Sequence, residues 1–152
     1  MKLCIANSLR RIAAPMEFSL SEAVAWDYPE ATLANPVSFA GECIWNGNYV
    51  AVNAGIEAQL NASCDRCLEN FEMTLEIPVS EVFLKGENDP GEPDAYAFSG
   101  DTLDFDEMIC HNILLSLPSK LLCCEQCKGL CQICGANKNI GQCSCANEIN
   151  DK

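Results

Sequence analysis

A single histidine, His111, stands in the 152-residue chain. With no second imidazole beside it, and on a predicted helix, it reads as a surface or core residue rather than a metal ligand. No glycine-rich phosphate loop, nucleophile elbow or paired catalytic constellation is present. Nothing therefore supports an enzyme or a small-molecule substrate. Basic residues are also scarce. Nine Lys and Arg face 22 Asp and Glu, for a formal charge of −13. Phosphate binding depends on Lys and Arg, so a wholly nucleic-acid-binding surface is excluded. No apolar run reaches the roughly eighteen residues of a membrane span. The start, MKLCIANSLRRIAAPMEFS, lacks the apolar core of a secretion signal and is broken by Arg10-Arg11. A cytoplasmic location is expected, where thiols stay reduced and clustered cysteines favour metal over disulfides.

What is present is an apolar fraction of 49%, enough for a real core, and twelve cysteines. The charge is uneven. Between Glu69 and Glu107 lie twelve carboxylates and only Lys85, whereas from Met108 onward three acids meet four lysines. A direct RNA contact would have to use that C-terminal part or the small set Lys2, Arg10 and Arg11. A Zn²⁺ held by four thiolates carries a local charge of about −2, so metal would not make the surface basic.

There is no internal repeat and no low-complexity tract. Val50 to Cys64 alternates between apolar or small residues and polar ones almost throughout, which predicts a long half-buried strand. Phe71, Met73, Leu75 and Ile77 continue the pattern, with the loop CDRCLEN between the two runs. Asn46-Gly47-Asn48 is a turn signal that joins an earlier strand, Val37 to Trp45, to the long one. Pro78 predicts an edge or a bulge thereafter. Residues 85–101 are acidic and rich in Pro and Gly, which predicts a surface loop. A helix over about 104–117 follows, with Phe105, Met108, Ile109, Ile113 and Leu117 at helical spacing. Asp104 is its expected N-cap, Glu107 completes a capping box, and Pro118 stops it. The expected fold class is α+β: an antiparallel β-meander or small barrel with one packed helix and a Cys-rich, zinc-binding C-terminal lobe. The expected division is a core over 1–118, the lobe over 119–146 and a tail over 147–152.

The stretch from Cys123 to Cys145 contains seven of the cysteines. Cys131 and Cys134 form C-x-x-C, and Cys143 and Cys145 form C-x-C; together they can supply the four corners of a tetrahedral zinc site. Gly129, Gly135 and Gly141 flank these pairs and suit tight turns. Cys123 and Cys127 form a further half-site, as do the distant Cys64 and Cys67. The simplest partition is two four-thiolate sites, Cys64/Cys67/Cys123/Cys127 and Cys131/Cys134/Cys143/Cys145, holding one or two structural zinc ions. The first would tie the hairpin tip to the segment after the helix, making binding free energy into folding free energy. Other pairings of the half-sites use the same residues, and Cys124 can stand in for Cys123. Cys4, Cys43 and Cys110 read as core or incidental thiols. Ferredoxin-like spacing for an iron–sulfur cluster is absent. A thiol-disulfide function for Cys64 and Cys67 lacks the helix N-terminus that lowers the attacking thiol's pKa, and Asp65 opposes the effect of Arg66.

Three stretches resemble the YceD family of large-ribosomal-RNA-accumulation proteins: CDRCL (Cys64–Leu68), LDFDEMICHNILLSLP (Leu103–Pro118), and the lobe. The lobe matches through CCEQCKGLCQICG (Cys123–Gly135), Asn139 and CSC (Cys143–Cys145). The likeness is to the family's cysteine-rich branch and runs from about Val50 to Cys145. Gln132 and Lys138 depart from it without removing a candidate ligand. The resemblance implies a non-enzymatic role in accumulation of the large-subunit ribosomal RNA and in ribosome assembly. Ribosomal RNA or basic large-subunit ribosomal proteins are the implied partners. It carries over the eight cysteines named above. Another branch lacks most of the C-terminal ones, which implies that metal stabilises the lobe. The alternatives are a zinc-stabilised protein-interaction adaptor without RNA contact, and a redox protein using Cys64 and Cys67.

Overall fold

The computed structural model of the chain describes residues 1–86, 96–141, 143 and 145. Most of the acidic stretch expected as a loop, residues 87–95, and the expected tail lie outside the described residues.

Alternation of side chains produces the main sheet. Strand β5 (Tyr49–Ser63) buries Val50, Val52, Ile56, Ala58, Leu60 and Ala62 on one face and exposes Asn53, Glu57, Gln59, Asn61 and Ser63 on the other. It pairs antiparallel along its whole length with β6 (Asn70–Lys85), from Tyr49↔Leu84 to Ser63↔Asn70. On its other edge lies β4 (Val37–Trp45), joined through Asn46-Gly47-Asn48, where Gly47 adopts φ +93°. Gly41 of β4 stands opposite Ala54, and a Cβ there would run into the Asn53 carbonyl and Ala54. Only glycine allows this approach of the two strands.

Five strands are less conspicuous in the sequence. Strand β2 (Pro15–Glu22) pairs with β4, and β3 (Ala31–Leu33) takes over the edge of β5 beyond the end of β4. The short β1 (Lys2–Cys4) and β8 (Thr102–Asp104) form their own antiparallel pair. Strand β7 (Tyr96–Phe98) runs parallel to the end of β6, so the main sheet is mixed. Its order is β2-β4-β5-β6-β7, with β3 beside β5. Strands β2 and β7 do not meet among the described residues, so the sheet is open and the barrel alternative is set aside. Strand β6 does not stop at Pro78. The proline faces Gly55, on a stretch of β6 whose outer edge has no partner strand among the described residues, the kind of edge position where a strand tolerates proline.

Helix α1 (Asp106–Ser116) covers the apolar face of the sheet and buries Met108, Ile109 and Ile113. Phe105, just before it, contacts Phe18, Phe39 and Phe83 with ring centroids 5.7, 5.0 and 5.4 Å away. Burial of such side chains stabilises by about 1.5–3 kcal/mol each. The helix begins one position later than expected, with Phe105 as N-cap and no capping box. Asp104 is held in β8 opposite Lys2, yet its carboxylate still accepts the Asp106 N–H at 3.2 Å. The opposite face of the sheet is acidic. The cross-strand register puts Glu17 opposite Glu42 and Glu57 opposite Glu76.

Candidate metal centres

The connection between β5 and β6 is a tight knuckle. The Cys64 N–H bonds to the Glu69 carbonyl at 2.9 Å, the Leu68 N–H to the Cys64 carbonyl at 2.8 Å, and Leu68 sits at φ +61°. The segment after α1 docks on it through the two residues between the thiols. Asp65 exchanges backbone and side-chain bonds with Leu121: its N–H reaches the Leu121 carbonyl at 2.8 Å and its carboxylate accepts the Leu121 N–H at 2.8 Å. Arg66 donates from Nη1 to the Cys127 carbonyl at 3.0 Å, and its own carbonyl accepts the Leu130 N–H at 3.1 Å. Gly129, at φ +69°, passes so close that a Cβ would lie 2.9 Å from the Arg66 carbonyl oxygen.

These bonds bring Cys64, Cys67, Cys123 and Cys127 together, with all four sulfurs within 4.8 Å of one another. Cys64 and Cys127 are 3.7 Å apart, as are Cys67 and Cys123. A tetrahedral ion with metal–sulfur bonds of about 2.3 Å needs sulfurs about 3.8 Å apart. Cys64, Cys67 and Cys127 are buried. The second group is Cys131, Cys134, Cys143 and Cys145, again within 4.8 Å. Its first knuckle is closed by the Cys131 N–H to the Ala136 carbonyl at 2.8 Å and the Gly135 N–H to the Cys131 carbonyl at 2.9 Å, with Gly135 at φ +73°. Gly141, in contrast, keeps an ordinary φ. The turn of this arm is made upstream, where the Asn137 side chain accepts the Asn139 N–H at 2.9 Å.

The donor sets contain only thiols, the ligands of soft or borderline ions. Within each set the proton affinities diverge. Burial raises Cys64, but backbone N–H groups of Cys123, Cys67 and Arg66 outweigh it and bring the thiol down to about 6. Backbone N–H groups of Cys134 and Ile133 bring Cys131 down to about 6. Cys127 is raised by burial and lowered further by Asn139 and the Gly129 N–H, for a net fall. Burial and neighbouring thiols push Cys123 up, and the neighbouring Cys134 sulfur followed by burial pushes Cys145 up to about 12. Each set thus holds some thiolates readily and resists ionising all four, which is the state a bound dication relieves. The two four-sulfur groups can hold metal ions.

Among the described residues, Cys43, Cys110 and the histidine stand apart from these groups, while Cys124 adjoins the first. Cys124 is exposed beside the first group, Cys43 is buried in the core, and Cys110 reaches the Ala25 carbonyl at 3.3 Å. His111 meets the Tyr96 hydroxyl at 3.4 Å. Cys64 and Cys67 each also lie 3.7 Å from a sulfur of the lobe, Cys127 and Cys123 respectively, so neither thiol faces its C-x-x-C partner alone. The sequence reading weighed Asp65 and Arg66 only as charges beside the thiols and Asn139 only as part of the family likeness, and did not foresee their hydrogen bonds. Their signal was the polar character of C-D-R-C and the Asn-x-Asn turn at Asn137 and Asn139.

No solved structure matches the chain significantly. The chain is 27% identical over 156 residues to the "Large ribosomal RNA subunit accumulation protein YCED homolog 1, chloroplastic" of Arabidopsis thaliana. That match covers 83% of this chain and 48% of the relative, so the chain spans about half of the relative's length. The profile of the family described as large ribosomal RNA subunit accumulation protein YceD matches residues 52–152. The matched stretch takes in β5 from Val52 onward, β6, α1 and all eight clustered cysteines, and on that match the chain belongs to the YceD family.

Proposed function

We propose that this protein is a non-enzymatic cytoplasmic factor in accumulation of the large-subunit ribosomal RNA, folded around two structural zinc ions. Family membership over residues 52–152 carries the reading. In it, Cys64, Cys67, Cys123 and Cys127 hold one ion, and Cys131, Cys134, Cys143 and Cys145 hold the other. The thiol-only donor sets and the 3.7 Å sulfur spacings support zinc. No described helix is long and apolar enough to cross a membrane. The domain division expected from sequence, with a core over 1–118 and the lobe over 119–146, forms part of the same reading.

The partner class follows from charge. The solvent face of the sheet opposes Glu57 to Glu76 and Glu17 to Glu42, and its paired strands carry no Lys or Arg on that face. Such like-charge pairs destabilise an isolated sheet and favour a cationic neighbour. Basic large-subunit ribosomal proteins fit that face better than RNA does. This observation also favours the second reading, a zinc-stabilised protein-interaction adaptor without RNA contact. Depletion of the protein is expected to lower large-subunit RNA relative to small-subunit RNA and to deplete the large-subunit peak in sedimentation profiles. Unchanged RNA and profiles refute the function. Filter binding to ribosomal RNA fragments across a salt series separates the readings: steeply salt-dependent RNA binding rejects the adaptor.

A further inference from the structure

Asn139 belongs by sequence to the second centre, since it lies between Cys134 and Cys143. Its side chain serves the first. The amide Nδ2 donates to the Cys127 sulfur at 3.3 Å, and Oδ1 accepts the Lys128 N–H, next to that ligand, at 2.8 Å. The side chain is held for this by Asn137, whose Oδ1 accepts both the Asn139 N–H and its Nδ2, each at 2.9 Å. The segment in turn lies against the stretch between the centres, through the Lys138 N–H to the Gly129 carbonyl at 2.9 Å and an isolated bridge between Leu130 and Asn137. Metal at the second centre closes the loop from Cys134 to Cys143 and so fixes Asn139. A hydrogen bond to a coordinating sulfur orients the ligand and disperses its charge.

We infer that Asn139 is a positioning residue that couples the two centres, so that metal bound at the second tightens metal binding at the first. By linkage the effect is reciprocal: occupation of the first centre tightens the second by the same factor. The inference rests on the reading that both groups hold metal. It assigns the Asn137–Asn139 turn a purpose that ligand spacing does not explain.

Cobalt(II) uptake by the full chain, read from its thiolate-dependent absorption and by competition with a chromophoric chelator, resolves the two centres. The first centre's step is the one that Cys64→Ser removes. Asn139→Ala is expected to weaken that step by about 10-fold or more, the usual effect of losing such a partner. Cys143→Ser with Cys145→Ser, which disables the second centre, is expected to weaken it by a similar factor. All three changes together are expected to weaken it no further than either alone. Asn139→Asp retains the acceptor for Lys128 and removes the donor to Cys127. It serves where the alanine variant fails to fold, and is expected to weaken the first centre at least as much. Fewer than two ions bound to the wild-type chain overturns the metal reading and the coupling with it. Two ions bound, with the first step unmoved by either Asn139 variant or with additive losses in the combined variant, overturns the coupling alone.

Discussion

Removal of a ligand from the first metal centre should weaken the whole fold, whereas removal of one from the second should loosen mainly the lobe. Cys67 and Cys123, 56 positions apart, are joined across the first centre. Treated as a cross-link, closing a loop of that length removes unfolded-state entropy worth about 4 kcal/mol at 25 °C. Within the second centre the longest gap runs from Cys134 to Cys143. The same relation gives about 2.6 kcal/mol for that gap, and it constrains only the lobe. Trp45 is buried in the core and Trp26 packs against it, so tryptophan fluorescence reports on the sheet rather than on the lobe. With a urea dependence of about 2 kcal/mol per molar, Cys64→Ser should lower the fluorescence midpoint of the metal-loaded chain by about 2 M. Cys143→Ser should lower it far less, by no more than the coupling that Asn139 transmits. Equal shifts for the two variants, or a midpoint indifferent to Cys64→Ser, would refute the idea that the first centre ties the lobe to the core.

Glycine-to-alanine changes on neighbouring strands should act in opposite directions. Gly41→Ala drives a methyl group into the Asn53 carbonyl and Ala54 and should cost about 3 kcal/mol or more, while Gly55→Ala enters open space and should stabilise by about 0.5–1 kcal/mol, both read from urea midpoints. Replacing Glu57 by Gln relieves its opposition to Glu76 and should raise stability by about 0.2–1 kcal/mol, an effect that fades as salt is added during thermal unfolding. Burial, together with the carboxylates of Glu81 and Glu107, raises the Tyr96 phenol above its ordinary value. The folded state therefore favours the protonated phenol. That contribution is intact below about pH 10 and is lost as pH rises through the folded-state value. Tyr96→Phe should flatten the alkaline fall in the urea midpoint, and an unchanged slope would exclude the tyrosine as its source.

The long strands were legible because their apolar positions fall every second residue. The expected strand Val37 to Trp45 is found with those bounds, and β5 and β6 lie where the alternation placed them. Strand β2 carries a weaker alternation, Met16, Phe18 and Leu20, that the sequence reading did not use. Strands β1, β3, β7 and β8 have three residues each and owe their form to the strands they pair with, so no period exists to be read. Barrel closure was illegible for a related reason: it depends on whether β2 and β7 meet, which neither strand encodes alone. At the candidate centres the residue types and half-site spacings were visible, and the simplest partition is the one the geometry brings together. The rival pairings were chemically equivalent in sequence. What separates them are contacts across 56 or more positions, such as Asp65 with Leu121 and Arg66 with Cys127.

The ladder joining β5 to β6 also sets an order of events during synthesis. A hairpin forms in about 1–10 microseconds, while a ribosome adds about 5–20 residues each second. The Cys64–Cys67 knuckle, carried at the end of a hairpin with a tight local turn, can therefore form before Cys123 and Cys127 have been made. In that interval the nascent chain would display two thiols that can supply only half of a four-sulfur site. For an ion bound at that stage, the remaining two donors would come from a small thiol, a carrier or water, and would be exchanged for the chain's own sulfurs as the lobe arrives. The ion acquired at this stage would be handed inward by ligand replacement, and the last cysteines to be translated would decide when the sheet is sealed.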